Sequence, residues 1–170
     1  MELYIERGYD NTTVAEIANR TGLTERTFFR HFADKREVLF GGAGALQELL
    51  VNAVAAAPGP AAPIDVVAVA LDAIGSMLDD REYSRQRQTV IAANAELRER
   101  ELIKLASLAA ALADALRARG VEDSTATLTA EAGIAVFRVA FERWINENET
   151  RDLAAIIRTS LEELKAITRA

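Results

Sequence analysis

The sequence predicts an all-α protein of about nine helices. Three observations carry that prediction. Apolar residues recur at helical spacing, as with Phe28 and Phe32 four apart, and no run alternates convincingly as a strand would. Glycine, proline and capping side chains fall mostly between these segments. The composition is half hydrophobic but only 6% aromatic and rich in alanine, which suits closely packed helices. At 170 residues the chain is long enough for one domain or one and a half, with a sizeable core.

The elements follow in order. Leu3 to Arg7 reads as the tail of a first helix stopped by Gly8. Thr13 and Glu16 form the T-x-x-E pattern of a capping box, with Val14, Ile17 and Ala18 on one face of the helix they open. Gly22 supplies a left-handed turn residue, and Thr24 caps the next helix, which carries Phe28 and Phe32. Asp34 with Glu37 caps a longer helix to about Ala56. PGPAAP, 58–63, must break helix, and Ile64 to Leu78 restarts it. After Asp79, Asp80 and Arg81 come helices over about 83–93 and 96–119, the latter stopped by Gly120. Asp123 or Ser124 caps the next, to about Asn146, and Thr150 or Asp152 caps the last, to Ile167.

Several functions are disfavoured by what the chain lacks. Without cysteine there is no disulfide and no thiolate metal site, which fits an expected cytoplasmic location. No apolar run of the roughly 20 residues a membrane span needs is expected, and MELYIERGYD lacks the layout of a signal peptide. No nucleophile–histidine pair, phosphate loop or metal cluster supports an enzyme, and no cofactor is expected.

The net charge of −6 argues at first against nucleic acid. Its distribution reverses that. Residues 20–36 carry Arg20, Arg26, Arg30, Lys35 and Arg36 against only Glu25 and Asp34, whereas 41–170 hold 14 basic and 19 acidic side chains. An acidic body with one small basic face predicts weak, salt-sensitive binding to non-specific DNA.

Residues 12–39, TTVAEIANRTGLTERTFFRHFADKREVL, combine the requirements of a helix-turn-helix. Two short helices must cross steeply, with a glycine in the turn and a small residue at the contact. Gly22 and Ala18 fit, and Ile17, Leu23, Phe28 and Phe32 supply an apolar underside. The outer face offers Thr24, Arg26, Thr27, Arg30 and His31. On Gly8-Tyr9, Thr12-Thr13-Val14, Ile17-Ala18, Thr21-Gly22-Leu23-Thr24, Thr27, Phe29, His31-Phe32 and Lys35, the segment resembles the N-terminal domain of TetR-family transcriptional regulators.

That resemblance implies a DNA-binding domain over 1–40 and a helical ligand-binding and dimerisation domain over 41–170. It implies that Thr13 meets a phosphate through its hydroxyl and backbone N–H, and that Thr24, Glu25, Arg26, Thr27 and Arg30 lie on the recognition helix. Arg26 is the first choice for reading guanine, because its fork matches the two acceptors there. Glu25 either accepts from a cytosine amino group or restrains Arg26. Thr27, His31 and Lys35 match backbone-contacting positions, with packing near Phe32 the alternative for His31. Phe29 stands where the family usually has tyrosine, so one hydroxyl-to-phosphate contact is missing; the ring can still pack on sugar or a thymine methyl. The first helix is short, and the family often carries a basic segment further upstream, without which DNA binding is expected to weaken.

One such domain reads half a site, so specific binding to a palindromic operator needs a homodimer. Residues 126–146 are apolar nearly all round, and Leu153, Ile156, Ile157, Leu161, Leu164 and Ile167 give 150–167 a second wide stripe. The family dimerises through its last two long helices, and these match in place; ordinary intrachain core is the alternative. The resemblance also implies a repressor that releases DNA when a small apolar effector enters the body. Leu50, Met77, Val90, Leu105, Phe137 and Phe141 are the candidate lining, each of which could equally be core. Residues 85–112 faintly resemble actinobacterial members thought to sense acyl-CoA-like or lipophilic molecules. Arg85, Arg87 and Arg98 then either meet an acidic head group or are solvated. The alternative function is a ligand-binding helical dimer with weak or degraded DNA binding.

Gly41, Gly42 and Gly44 fall inside the helix that should join the two domains. Each costs up to about 1 kcal/mol against alanine in a helix interior. Three in four residues predict either a hinge or a place where the helix starts, bends or frays.

Overall fold

A computed structural model describes residues 1–146 and 148–168; Glu147, Arg169 and Ala170, part of the expected body, lie outside the described residues. Among the described residues there are ten helical segments and no strand. They are α1 Glu2–Arg7, α2 Val14–Arg20, α3 Glu25–His31, α4 Glu37–Phe40, α5 Ala43–Ala56, α6 Pro63–Met77, α7 Arg81–Ala93, α8 Ala95–Ala118, α9 Asp123–Trp144 and α10 Leu153–Thr168. The tenth segment arises where one helix was expected: Gly41 and Gly42 interrupt it between α4 and α5, while Gly44 lies inside α5.

Local chemistry sets most boundaries. The Thr13–Glu16 capping box forms in full, with the Thr13 N–H donating to Glu16 Oε2 at 2.8 Å and the Glu16 N–H to Thr13 Oγ1 at 3.3 Å. Gly22 has φ +69°, a conformation an L side chain resists. Pro63 begins α6 at a position where no helical N–H is needed. The carbonyls left open at the end of α5 are satisfied from across the fold, by Arg119 donating to Val54 O at 2.9 Å and Ala57 O at 3.0 Å.

Two caps differ from expectation. α9 is capped by Glu122, which accepts from the Ser124 N–H at 3.0 Å and the Thr125 N–H at 2.9 Å, because Asp123 is already the first helical residue. Glu37 does not cap its own helix. It turns instead to α8, where Arg100 Nε donates at 2.7 Å and Lys104 Nζ at 3.1 Å. Asp34 does take the expected role, accepting from the Arg36 and Glu37 N–H groups at 2.8 and 3.3 Å.

Glu37–Ala56 is also, by length and composition, apolar enough to cross a membrane, contrary to the expectation. In the fold that stretch is interrupted at Gly41-Gly42, its Glu37 is ion-paired, and Leu50 and Val54 are fully buried.

The main core lies where α5, α6, α8, α9 and α10 meet, with Val67, Leu71, Leu112, Leu116, Trp144 and Ile156 inside it. Two contacts there depend on absent side chains. A Cβ on Gly75 of α6 would sit 2.7 Å from Ala154 Cα of α10, and one on Gly133 of α9 would sit 2.6 Å from Val67 Cγ1 of α6. A second core joins the head to the body: Tyr4, Tyr9, Leu39 and Phe40 pack with Val90, Ile91 and Leu97 of α7 and α8.

The two glycine contacts differ in what can yield. At Gly75 the obstacle is backbone, whereas at Gly133 it is a valine methyl. Gly75→Ala is therefore expected to cost roughly 1–3 kcal/mol, the range of core overpacking, and more than Gly133→Ala. Urea unfolding midpoints of the two variants test this; equal losses would show that α10 slides to make room.

Candidate nucleic-acid interface

α2 and α3 cross with Ala18, 2% exposed, at their junction. The turn is closed by Leu23, whose N–H donates to Ala18 O at 2.8 Å, and by Thr21 Oγ1, which donates to Ile17 O at 3.1 Å. Leu23 was expected on the apolar underside. It is 42% exposed instead, because closing the turn leaves its side chain at the rim. Phe28 alone fills the inner face of α3 completely, its ring edge-on to Phe29 at 5.4 Å and tilted against Phe32 at 5.2 Å.

The outer face of α3 is polar and open. Thr24 caps it, accepting from the Thr27 N–H at 3.2 Å, and its hydroxyl lies 3.0 Å from that of Thr27. Glu25, Arg26, Phe29 and Arg30 follow at i, i+1, i+4 and i+5, all exposed, so they share one side of the helix. Phe29, at 54% exposure, puts a bare aromatic ring among them. His31 is exposed, with Nε2 3.4 Å from an Arg30 nitrogen. Thr13 stands exposed at the head of α2, its hydroxyl donating to Glu16 Oε2 at 2.9 Å.

The basic face is smaller than the sequence suggests. Arg20 is paired with Glu2 at 2.9 Å and Glu6 at 3.4 Å. Arg36 holds Asp34 at 2.5 Å and Glu96 at 3.0 Å, and its hydrogen bond keeps the Asp34 carboxyl below the usual carboxylate range despite partial burial. Lys35 Nζ donates to Tyr9 O at 2.8 Å, Thr12 O at 3.0 Å and Asp10 O at 3.4 Å, and stands 4.3 Å above the Tyr9 ring. Of the five cations in 20–36, only Arg26 and Arg30 make no ion pair or main-chain bond among the described residues.

Sequence reasoning missed the groups that hold this head together. Tyr4 is buried and donates its hydroxyl to Lys35 O at 2.6 Å. Thr12, fully buried, donates to Gly8 O at 2.8 Å and Leu3 O at 3.2 Å. Burial also pushes the Tyr9 hydroxyl up to about 12, with Glu96 adding to the rise and Arg36 opposing it. The Tyr4–Lys35 bond was invisible in the sequence because its two residues lie 31 positions apart.

The six candidate pocket residues do not converge on one cavity. Leu50 and Phe137 are buried in the main core, with Leu105 and Phe141 partly buried against it. Val90 belongs instead to the head–body core, and Met77, at the end of α6, is 44% exposed. A cleft of about 720 Å³ does lie between head and body, lined by Leu3, Tyr4, Ile17, Val38, Tyr83 and Gln86 among others, and includes none of the six. The three candidate head-group arginines are occupied: Arg85 donates to Ile145 O at 2.8 Å, Arg87 to Leu39 O at 2.7 Å and Arg98 to Ala92 O at 2.5 Å.

On α9, Leu128 and Val139 are 68% and 44% exposed, on the side opposite Ala126, Ala130, Phe137 and Trp144. Ala132 and Ala135 fall between them at helical spacing, giving an uncovered apolar stripe. Ile167 of α10 is 75% exposed.

Residues 1–40 match the family model described as bacterial regulatory proteins, tetR family, and residues 61–169 match the MftR C-terminal domain. The chain is 35% identical over 82 residues to the HTH-type transcriptional regulator TcmR of Streptomyces glaucescens; the match takes in 48% of this chain and 36% of that protein, so only about a third of the relative's length is spanned. Among solved structures, a TetR-family regulator from Mesorhizobium loti superposes with a TM-score of 0.61 at 19% identity, over 98% of this chain and 91% of its own. The repressor FadR of Thermus thermophilus, solved in complex with lauroyl-CoA, gives 0.53 at 22% identity, over 97% and 89%. At these identities the superpositions establish the shared fold, and the two family models supply the rest. The chain belongs to the TetR family of DNA-binding transcriptional regulators.

Proposed function

We propose that this chain is a ligand-responsive repressor of the TetR type. Its head, residues 1–40, reads one half of a palindromic operator, and its body, 41–170, dimerises and takes up a small apolar or acyl-type effector that releases the DNA. The observation that carries the reading is the outer face of α3. Arg26 and Arg30 project from a capped helix with no ion-pair partner among the described residues, beside Thr24, Thr27 and Phe29. Two free cations per head suffice for base and phosphate contacts but not for tight non-specific binding. Thr13, Glu25 and His31 border that face, and Glu25 either reads cytosine or restrains Arg26.

Sequencing the genomic fragments that the chain retains at physiological salt is the direct test. The expected product is a palindrome with half-sites one turn, roughly 34 Å, apart. Arg26→Ala is expected to cost about 1–3 kcal/mol and to relax selection at one position of each half-site. A dimer that retains no particular fragment would instead favour the second reading, a ligand-binding protein with degraded DNA binding. Phe29, which presents no hydroxyl to a phosphate, is the observation on that side.

Dimerisation is assigned to α9 and α10, within 126–146 and 150–167. What supports this is the apolar stripe left uncovered in a single copy, from Leu128 to Val139. The double variant Leu128→Glu, Val139→Glu should sediment as a monomer with its helical content intact. A variant that stays dimeric would move the interface elsewhere.

An acyl-type effector is supported by the apolar interior around Leu105, Phe137 and Phe141. It is also supported by the fold shared with a regulator solved with lauroyl-CoA. Entry among packed side chains requires the body helices to move, and the interruption at Gly41-Gly42 is where α4 can swing relative to α5. Lauroyl-CoA serves as the probe. It should release the selected duplex from the natural chain and release it less from a chain with alanine at 41, 42 and 44. Equal release from both would remove the hinge, and release from neither would remove this effector class.

A further inference from the structure

We propose that Arg81 and Arg85 are positioning residues. They latch α7 to the turn between α9 and α10 and so fix the angle at which each head is held in the dimer, a role that rests on the operator and the dimer proposed above. The two arginines lie one turn apart on one side of α7. Arg85 Nε donates to Ile145 O at 2.8 Å, and Glu82 holds its Nη1 at 2.9 Å. Arg81 donates to Glu149 O and Arg151 O, and its guanidinium stands 5.5 Å from the ring centroid of Trp144. Ile145 directly follows α9, where the open carbonyls of a helix end favour a cation. Two side chains of α7 thus hold three carbonyls around one turn and the last ring of α9.

Among the described residues no apolar side chain of α7 belongs to the main core. Its Val90 and Ile91 pack instead with Tyr4, Tyr9, Leu39 and Phe40 of the head, and Arg87 adds its bond to Leu39 O at 2.7 Å. α7 therefore goes with the head, and its start is fastened to the body through Arg81 and Arg85. The head also meets the body at the Gly41-Gly42 connection and along α8, whose Leu97 packs with the head while Leu112 and Leu116 lie in the main core. A unit joined along one helix can turn about it, and a second attachment away from that helix fixes the angle. The place of the attachment matters, because α9 and α10 carry the surface assigned to the partner copy. Trp144 and Leu153, 2% and 0% exposed, anchor the two ends of the turn in the main core. A latch to that turn ties the angle of α7, and with it of α3, to the helices that meet the partner.

Half-site spacing tests this, because moving a half-site by two base pairs shifts it by roughly 7 Å and rotates it by about 70°. The selected half-sites are placed at their natural separation and at two base pairs more and fewer. Each duplex is titrated with the natural chain, with Arg81→Met and Arg85→Met together, and with Arg81→Lys and Arg85→Lys together. The natural chain should lose about tenfold or more at the wrong separations, and the methionine pair less than about threefold while still sedimenting as a dimer. The lysine pair, which keeps charged donors, should recover part of the preference. A methionine pair with the natural preference, or one weaker by the same factor on every duplex, would overturn the proposal. The head's position can also be read without DNA. The chain has no cysteine, so Asn19→Cys on α2 and Thr159→Cys on α10, both exposed, take spin labels at those positions alone. Excess unlabelled chain makes the measured pair intrachain. Its distance distribution should be narrow with the arginines and broad with the methionines. Equal widths, or a broad distribution in the chain that keeps both arginines, would also overturn the latch. If the natural chain selects no duplex or sediments as a monomer, the reading above fails on its own, and the label distance still decides whether the latch holds the head.

Discussion

Four residues, Glu37–Phe40, belong to both halves of this molecule. Glu37 reaches out to Arg100 and Lys104 of α8, Arg87 of α7 donates to Leu39 O at 2.7 Å, and its guanidinium lies 5.0 Å from the Phe40 ring centroid. Leu39 and Phe40 are buried against Val90, Ile91 and Leu97. The charges involved are well covered: Glu37 keeps only 17% of its side chain exposed, and burial pulls the Arg87 guanidinium below its usual range against the opposing effect of Glu101. Glu37 answers two cations at once, so removing either one leaves it the other. The head is thus clamped to α7 and α8, and Gly41-Gly42, between α4 and α5, lies on the other side of the clamp.

That arrangement has a mechanical consequence. Displacement of α7 or α8 is transmitted to the head through fixed, well-oriented bonds. Arg87 of α7 and Arg100 and Lys104 of α8 are the side chains that hold Glu37–Phe40. The cleft between head and body, walled by α1, α2 and the start of α7, lies beside that same connection.

The charge economy of the head follows the same logic. Most of its cations maintain its shape: Arg7 holds Glu16 at 2.5 Å, Arg20 ties α2 back to α1, and Arg36 joins the head to Glu96 of α8. Lys35 closes the loop between α1 and α2. What remains for a ligand is the small set on α3. Few unpaired cations mean weak binding to DNA of arbitrary sequence, since that binding grows with the number of phosphates neutralised.

Much of this was legible in the sequence. The all-α class, the Thr13–Glu16 capping box, the Gly22 turn, the Thr24 cap and the polar face of α3 each depend on residues within four positions of one another. Local hydrogen bonding and 3.6-residue periodicity suffice to fix them. The pairings that give the head its rigidity span larger separations, as with Tyr4 and Lys35 or Glu37 and Arg100, and no local rule contains them. Periodicity likewise told that α9 is apolar on more than one side, but only its packing on α6, α8 and α10 decided which side stays open. Leu50, Val90 and Met77 look alike in sequence and end in two different cores and at the surface. The sequence by itself determined the helical class, most of the caps and the side chains offered by α3, because those are short-range matters. Only the tertiary structure decided which cations of residues 20–36 are paired and which stay unpaired on α3 among the described residues, because a charge is free or occupied according to what distant segments bring beside it.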